Sequence, residues 1–193
     1  SGTTSCVLGT SSGIHAWHSP YYVRRMRVLK DESIYRYIKN KIPALVEDDL
    51  LKADKEAVVS IPVKAPDKAN FRSEPALDLL ERVKKVSSEW IRNGHRKGDN
   101  THNVSCTVAI KENEWGIVGD WMWENRSFYN GLSVLPYDGG SYKQTPFEEI
   151  TKEDYEKLCN HLSKIDLSEV VETVDNTNLE GELACASSGC ELS

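Results

Sequence analysis

Between positions 57 and 135 the chain alternates apolar segments of strand length with apolar stripes of helix length. That alternation restricts the architecture more than any other feature. Residues 57–63 form a compact apolar run in which Pro62 marks a strand end or an edge position. Ser73 and Pro75 open a helix whose Leu79, Val83, Val86 and Trp90 fall at steps of four, three and four. These make one buried stripe, with Gly94 as its natural stop. Val104, Cys106, Val108 and Ile110 alternate with Ser105 and Thr107, so this strand has one apolar and one hydroxylic face. Residues 114–124 read as a short Trp-rich helix, and 128–135 as a third strand closed by Pro136. Strand, helix, strand, helix, strand at these lengths predicts βαβ crossovers with three parallel strands. The fold class is α/β.

The flanks add elements at both ends. Residues 21–29 are β-rich and studded with arginines, and a short helix over 32–40 is ended by Pro43 at the latest. Thr151 caps a last helix with Tyr155, Leu158 and Leu162 on one side. From Ser168 onward the chain is acidic and without periodicity, and the tail from about Asn176 is expected to be mobile. The organisation is therefore a folded part, 1–167, and a flexible tail, 168–193. No internal repeat is visible.

At 193 residues with 39% hydrophobic positions the chain has enough for one core, as one domain or one large piece of a bigger one. No apolar run approaches the roughly 18 residues of a membrane helix, and no leader opens the sequence, which points to a soluble, cytoplasmic protein. An opening inside a Gly/Ser/Thr loop leads to the expectation of a fragment. The net charge of −6 excludes nucleic-acid binding by bulk charge. The charge is uneven, however. Residues 1–30 carry Arg24, Arg25, Arg27 and Lys30 with no carboxylate, whereas the last fifty hold twelve acids against three lysines. An anionic ligand belongs at the front.

Ser1-Gly2-Thr3-Thr4-Ser5-Cys6, followed by Gly9-Thr-Ser-Ser-Gly13, suits a phosphate. Glycine allows close backbone approach, hydroxyls donate, and a following helix N-terminus offers unpaired N–H groups. A flexible linker explains the same composition equally well, since the lysine of a P-loop is missing. The arginines with His15 and His18 complete an anion site, or else form the charged face of an edge strand. No metal site is expected from the two histidines, which lack further ligands. Trp115, Trp121 and Trp123 are suited to stacking on a planar ligand, and more simply to core and rim packing.

Five cysteines form no secreted disulfide framework, and Cys6, Cys106 and Cys159 stand singly. Cys185 and Cys190 are a pair within the final nine residues. A structural disulfide gains nothing in such a tail, and a metal clip needs two more ligands. The use that remains is thiol–disulfide exchange by a swinging pair.

Several stretches together resemble the catalytic chain of ribonucleotide reductases. The run from Ser1 to His15 is similar to the family's substrate-phosphate loop. Ile14-His-Ala-Trp-His-Ser-Pro-Tyr-Tyr-Val-Arg-Arg25, continuing to Leu29, resembles the adenosylcobalamin-dependent, triphosphate-reducing branch. So do Leu135-Pro-Tyr-Asp-Gly-Gly-Ser-Tyr-Lys-Gln-Thr-Pro-Phe-Glu-Glu-Ile150 and the closing cysteine pair. The resemblance implies the last part of a ten-stranded α/β barrel with a mobile tail. It also implies ribonucleoside triphosphate reduction by thiyl-radical chemistry with adenosylcobalamin. Ser1, Gly2, Thr3, Thr4 and Ser5 would bind the substrate phosphates, and Cys185 and Cys190 would shuttle electrons from thioredoxin. The radical cysteine and its partners lie upstream of this loop in the family, so an upstream part of the reductase is an implied partner and the piece is expected to be inactive alone. Cys6, Cys106 and Cys159 match none of those motifs. A second reading is an anion-binding, thiol–disulfide carrier module without its own catalysis.

Overall fold

The computed structural model describes residues 2–137, 142–162 and 165–172. In chain order the elements are α1 (Gly2–Leu8), β1 (Tyr21–Leu29), α2 (Ser33–Lys41), β2 (Val46–Asp48), β3 (Glu56–Lys64) and α3 (Ala76–Val86). A π-helical turn (Ser87–Ile91) leads into α4 (Arg92–Gly94), β4 (Thr107–Ile110), α5 (Trp115–Glu124), β5 (Ser133–Pro136), β6 (Phe147–Glu149) and α6 (Lys152–Leu162). The class is α/β, in two small sheets. One is antiparallel, with strand order β2-β3-β1-β6, and the other is the parallel pair β4-β5.

This corrects the expectation of three parallel strands. Residues 57–63 are indeed a strand, but β3 pairs antiparallel with β1 over nine positions, from Tyr21↔Lys64 to Leu29↔Glu56. Within that sheet β3 has the nine-residue β1 on one side and β2 on the other, which leaves β4 to pair elsewhere. Among the described residues only β4, α5 and β5 form a parallel crossover unit, registered from Thr107↔Ser133 to Ile110↔Pro136. Pro62 lies where β3 has lost β2, whose pairing stops at Val46↔Val59, so its missing N–H faces an open edge. The third strand is shorter than the run 128–135. Phe128 sits in the turn after α5, its N–H bonded to the Asn125 carbonyl at 2.8 Å, with Arg92 4.4 Å from its ring centroid.

Two cores hold the elements. The larger gathers Leu79, Leu80 and Val83 of α3, Val108 and Ile110 of β4, and Val118 and Trp121 of α5, together with Val104 and Cys106. Trp121 Nε1 donates to Glu81 Oε1 at 2.6 Å, so the indole is buried without an orphaned donor. The smaller core seats Ile38 of α2 on Val46, Ala57 and Val59. On the other face of the antiparallel sheet α6 covers β1, with Tyr155 and Tyr21 rings 5.2 Å apart. Its start is the capped one foreseen: Asp154 N–H donates to Thr151 Oγ1 at 3.1 Å.

The helical stripe ends one residue early. Leu79 and Val83 are buried, but Trp90 is 79% exposed. The helix passes into the π turn after Val86, with Arg92 N–H bonding the Ser87 carbonyl. A π turn winds more slowly than an α turn, so Trp90 lags behind the stripe and its indole reaches solvent.

Candidate functional site

The inner face of the antiparallel sheet and the outward face of β4-β5 enclose a cleft of about 760 Å³. Strand alternation determines what each wall presents. From β1 come Tyr22, Arg24 and Met26, from β3 Ile61 and Val63, and from β6 Phe147. Across from them Thr107, Val108, Ala109, Leu135 and Tyr137 line the cleft, while Ile110 of the same strand is turned into the core.

The segment read as a phosphate loop is the short helix α1 itself rather than a loop beside one. Gly2, Thr3, Thr4 and Ser5 form its first turns, and its first turn carries no acidic residue. Ser1 lies outside the described residues. Gly9, at φ +63, ends the helix, with its N–H on the Cys6 carbonyl and the Thr10 N–H on that of Ser5. Ser5 and Cys6 face the cleft, followed by Thr10, Ser11 and Ser12. The opening amides of such a helix have no intrahelical acceptor, which is the property an anion uses.

Of the four front cations only one stays with the cleft. Arg25 pairs with Glu148 at 2.5 Å and donates to the Thr145 carbonyl. Arg27 pairs with Asp49 at 2.8 Å, and Lys30 with Asp48 at 2.5 Å. Arg24 instead donates to the exposed Cys6 thiol and lies 5.8 Å from the Phe147 ring centroid. A second cleft cation, Arg72, comes from the loop before α3 and lies 5.4 Å from the Tyr137 ring centroid. Nothing in the sequence pattern marks Arg72, an isolated arginine in a loop. It is placed by the main-chain bridge between Trp17 and Phe71, in which Arg72 N–H bonds the Trp17 carbonyl at 2.9 Å.

The two histidines differ. His15 Nδ1 bonds the Ser12 carbonyl at 2.6 Å, a contact that folds the loop after α1 back on itself. His18 stacks on Phe147 at 5.7 Å and against Tyr22 at 5.6 Å, and its Nε2 is buried without a hydrogen-bond partner. Burial first, and the Arg72 charge second, hold its pKa at about 4, so the ring is neutral near pH 7. Burial likewise raises Tyr22, which stays protonated. Among the described residues no group of three or more His, Cys, Asp or Glu is placed to hold a metal ion. No described helix is long and apolar enough to cross a membrane.

Of the three tryptophans of α5, Trp121 is core, while Trp115 and Trp123 are exposed at 44% and 71%. None of the three lines the cleft. Cys106 is buried and Cys159 partly so; both lie away from the cleft. Cys185 and Cys190 lie outside the described residues.

No protein-family model matches the chain. It is 30% identical over 168 residues to the adenosylcobalamin-dependent ribonucleoside-triphosphate reductase of Lactobacillus gasseri, an alignment covering 84% of this chain and 21% of the relative. The reductase of the same description from Euglena gracilis is 29% identical over 184 residues, covering 91% and 24%. A crystal structure of a B12-dependent (class II) ribonucleotide reductase superposes with a TM-score of 0.69 at 25% identity, over 88% of this chain and 23% of that one. The chain is a relative of one part of the class II ribonucleotide reductases. It spans about a fifth to a quarter of the length of the curated reductases it matches. The walls of the cleft fall largely on the stretches that carry the family likeness: α1 and its loop, the run from Ile14 through β1, and Leu135 to Phe147.

Proposed function

We propose that this chain is the part of an adenosylcobalamin-dependent ribonucleoside-triphosphate reductase that holds the substrate's phosphate end and delivers reducing equivalents. The observation that carries the reading is the position of α1. Its segment Gly2–Ser5, matching the family's phosphate loop, starts a helix whose Ser5 and Cys6 line the cleft along with Arg24 and Arg72. In this reading Ser1, Gly2, Thr3, Thr4 and Ser5 take the triphosphate through backbone amides and hydroxyls. Arg24 and Arg72 supply the counter-charge. Both sheets are pieces of the ten-stranded barrel formed by the complete enzyme, in which residues 1–167 contribute wall and 168–193 the redox tail.

In the complete enzyme adenosylcobalamin supplies the means of generating a thiyl radical on a cysteine outside this chain. A corrinoid is too large for a cleft of about 760 Å³, and no residue here is assigned to it. The net reduction replaces the ribose 2′ C–OH by C–H and releases water. Its two electrons come from a cysteine pair that closes to a disulfide. Cys185 and Cys190 would then reopen that disulfide: one thiolate attacks it, a mixed disulfide forms, and the second thiol displaces the enzyme cysteine, leaving Cys185–Cys190 oxidised. Thioredoxin, or a similar dithiol, would reset the tail. The working compartment for this chemistry is the cytoplasm.

The test is the double change Cys185→Ser, Cys190→Ser in the reductase assembled with its remaining part. A single turnover should survive, multiple turnover with thioredoxin should stop, and a small dithiol should restore it. Unchanged multiple turnover with thioredoxin would remove the shuttle role.

A further inference from the structure

Residues 84–97 reverse the sign of the chain. They carry Lys84, Lys85, Arg92, Arg96 and Lys97 against one carboxylate, Glu89, in a sequence of net charge −6. Elsewhere acids claim the cations, as with Arg25, Arg27, Lys30, Lys41 and Arg82. Here Lys84 and Arg92 lie instead on the Phe128 ring, 5.1 and 4.4 Å from its centroid. Arg96 and Lys97 make neither an ion pair nor a side-chain hydrogen bond among the described residues. These two rim a pocket of about 750 Å³ that no carboxylate lines and that shares no lining residue with the cleft. Its floor is apolar, made of Ile14, Val86, Ile91 and Val104, and the exposed Trp90 stands at its edge. The wall is held in place, since His95 Nε2 bonds the Gly98 carbonyl at 2.8 Å and Gly98, at φ +79, turns the basic loop.

The opposite charge is carried by the chain itself. No Lys, Arg or His follows Lys164, whereas Glu172, Asp175, Glu180, Glu182 and Glu191 do. Among them Leu179-Glu180-Gly181-Glu182-Leu183 sets two carboxylates between two leucines. That is the combination of the pocket's floor and rim with the sign inverted. Complementary charge selects such a partner, and a leucine withdrawn from water supplies affinity. The chain also has the reach. Glu169 is tied to Lys41 of α2 at 2.6 Å, and the described residues run on to Glu172. From Glu172 to Leu183 there are eleven steps, which extended span at most roughly 40 Å. A compact chain of 193 residues has a radius of gyration of roughly 16 Å. A tether of this length gives an effective concentration on the order of millimolar, so a modest intrinsic affinity suffices for docking.

We propose that this basic face is the docking seat of the chain's own acidic segment 179–183, with Leu183 on the apolar floor and Glu180 and Glu182 against Arg96 and Lys97. Docking there parks Cys185, two residues further on, outside the cleft. The contact depends neither on phosphate binding in the cleft nor on disulfide exchange. The test compares the full chain with one ending at Glu172, through the amide signals of residues 95–103 and the indole N–H of Trp90, assigned through Trp90→Phe. The two chains should differ at these signals. A peptide of residues 176–193 should bind the shorter chain saturably and move its signals to the full-chain positions. The pair Arg96→Glu, Lys97→Glu should weaken that peptide by about tenfold or more, and a peptide with Glu180→Lys, Glu182→Lys should bind the charge-reversed chain as the parent pair binds. Leu183→Ala in the peptide should cost about tenfold. Cys185→Ser, Cys190→Ser in the peptide should cost nothing, which separates this contact from the shuttle role. Arg96 and Lys97 are exposed, and circular dichroism melts check that the variant chain folds like the parent. Four results would each overturn the proposal: identical signals in the long and short chains, undiminished binding to the charge-reversed chain, a scrambled peptide of the same composition binding equally well, or full-chain shifts that grow with protein concentration, as the segment of a second copy would give.

Discussion

Asp49 is a carboxylate with only 3% of its side chain exposed, and its replacement should be among the more damaging single changes in the chain. Its Oδ1 accepts from the N–H groups of Leu51 at 2.8 Å and Lys52 at 3.0 Å, and its Oδ2 accepts from Arg27 Nε at 2.8 Å. The Leu51 N–H first, then Arg27 and the Lys52 N–H, hold its pKa below the usual carboxylate range against the opposing effect of burial. The two backbone bonds to a charged acceptor contribute about 1.5 kcal/mol each. The ion pair adds about 1 kcal/mol at most, because the Arg27 side chain is 45% exposed and screened by solvent. Asp49→Ala should therefore cost about 4 kcal/mol. Asp49→Asn, which keeps an acceptor at Oδ1 but sets an amide against the guanidinium, should cost about 2 kcal/mol. Urea unfolding of the full chain followed by circular dichroism measures both. If the alanine variant were no worse than the asparagine variant, the turn at 49–52 would not be held by these backbone bonds.

Leu80→Ala, at a fully buried position between α3 and its core, should lower stability by about 3 kcal/mol in the same assay, and a loss under 1 kcal/mol would contradict the packing described. Gln144, at φ +57, accepts from Leu50 N–H and donates to the Asp48 carbonyl. Gln144→Gly relieves about 1 kcal/mol of backbone strain but removes two bonds of about 1 kcal/mol each, so a net loss of about 1 kcal/mol is expected and a gain would refute it. His18 has its folded pKa lowered to about 4, while the unfolded chain takes up this proton near pH 6.5. Its contribution is therefore complete above about pH 6.5 and lost as pH falls toward about 4. His18→Phe should flatten stability against pH over that window, and an unchanged slope would show that the ring is not held neutral.

Periodicity revealed the elements but not their partners. The alternation of Cys106, Val108 and Ile110 with Ser105 and Thr107 located a strand and correctly separated its core face from the face carrying Thr107, which lines the cleft. The run at 57–63 was legible as a strand, yet local pattern cannot say that its ladder is with residues 21–29 rather than 107–110. That choice rests on contacts 27 to 43 residues apart. Trp90 was misplaced because a π turn leaves no mark in a 3.6-residue stripe. The front charge was legible as four cations within residues 1–30. Which arginine remains available was settled only by the acids that claim Arg25 and Arg27, and those come from β2, β6 and the turn after β2. The cleft's second cation, Arg72, carried no sequence signal at all.

The most direct test of the central claim is reconstitution. The chain is combined with the remaining part of a class II reductase, adenosylcobalamin, a ribonucleoside triphosphate and a dithiol, and deoxynucleotide formation is followed. The account expects no product from either part alone and steady formation from the two together, lost when Arg24 and Arg72 are both changed to alanine. A chain that binds anions and exchanges disulfides on its own, but neither associates with the remaining part nor restores product formation, would contradict it.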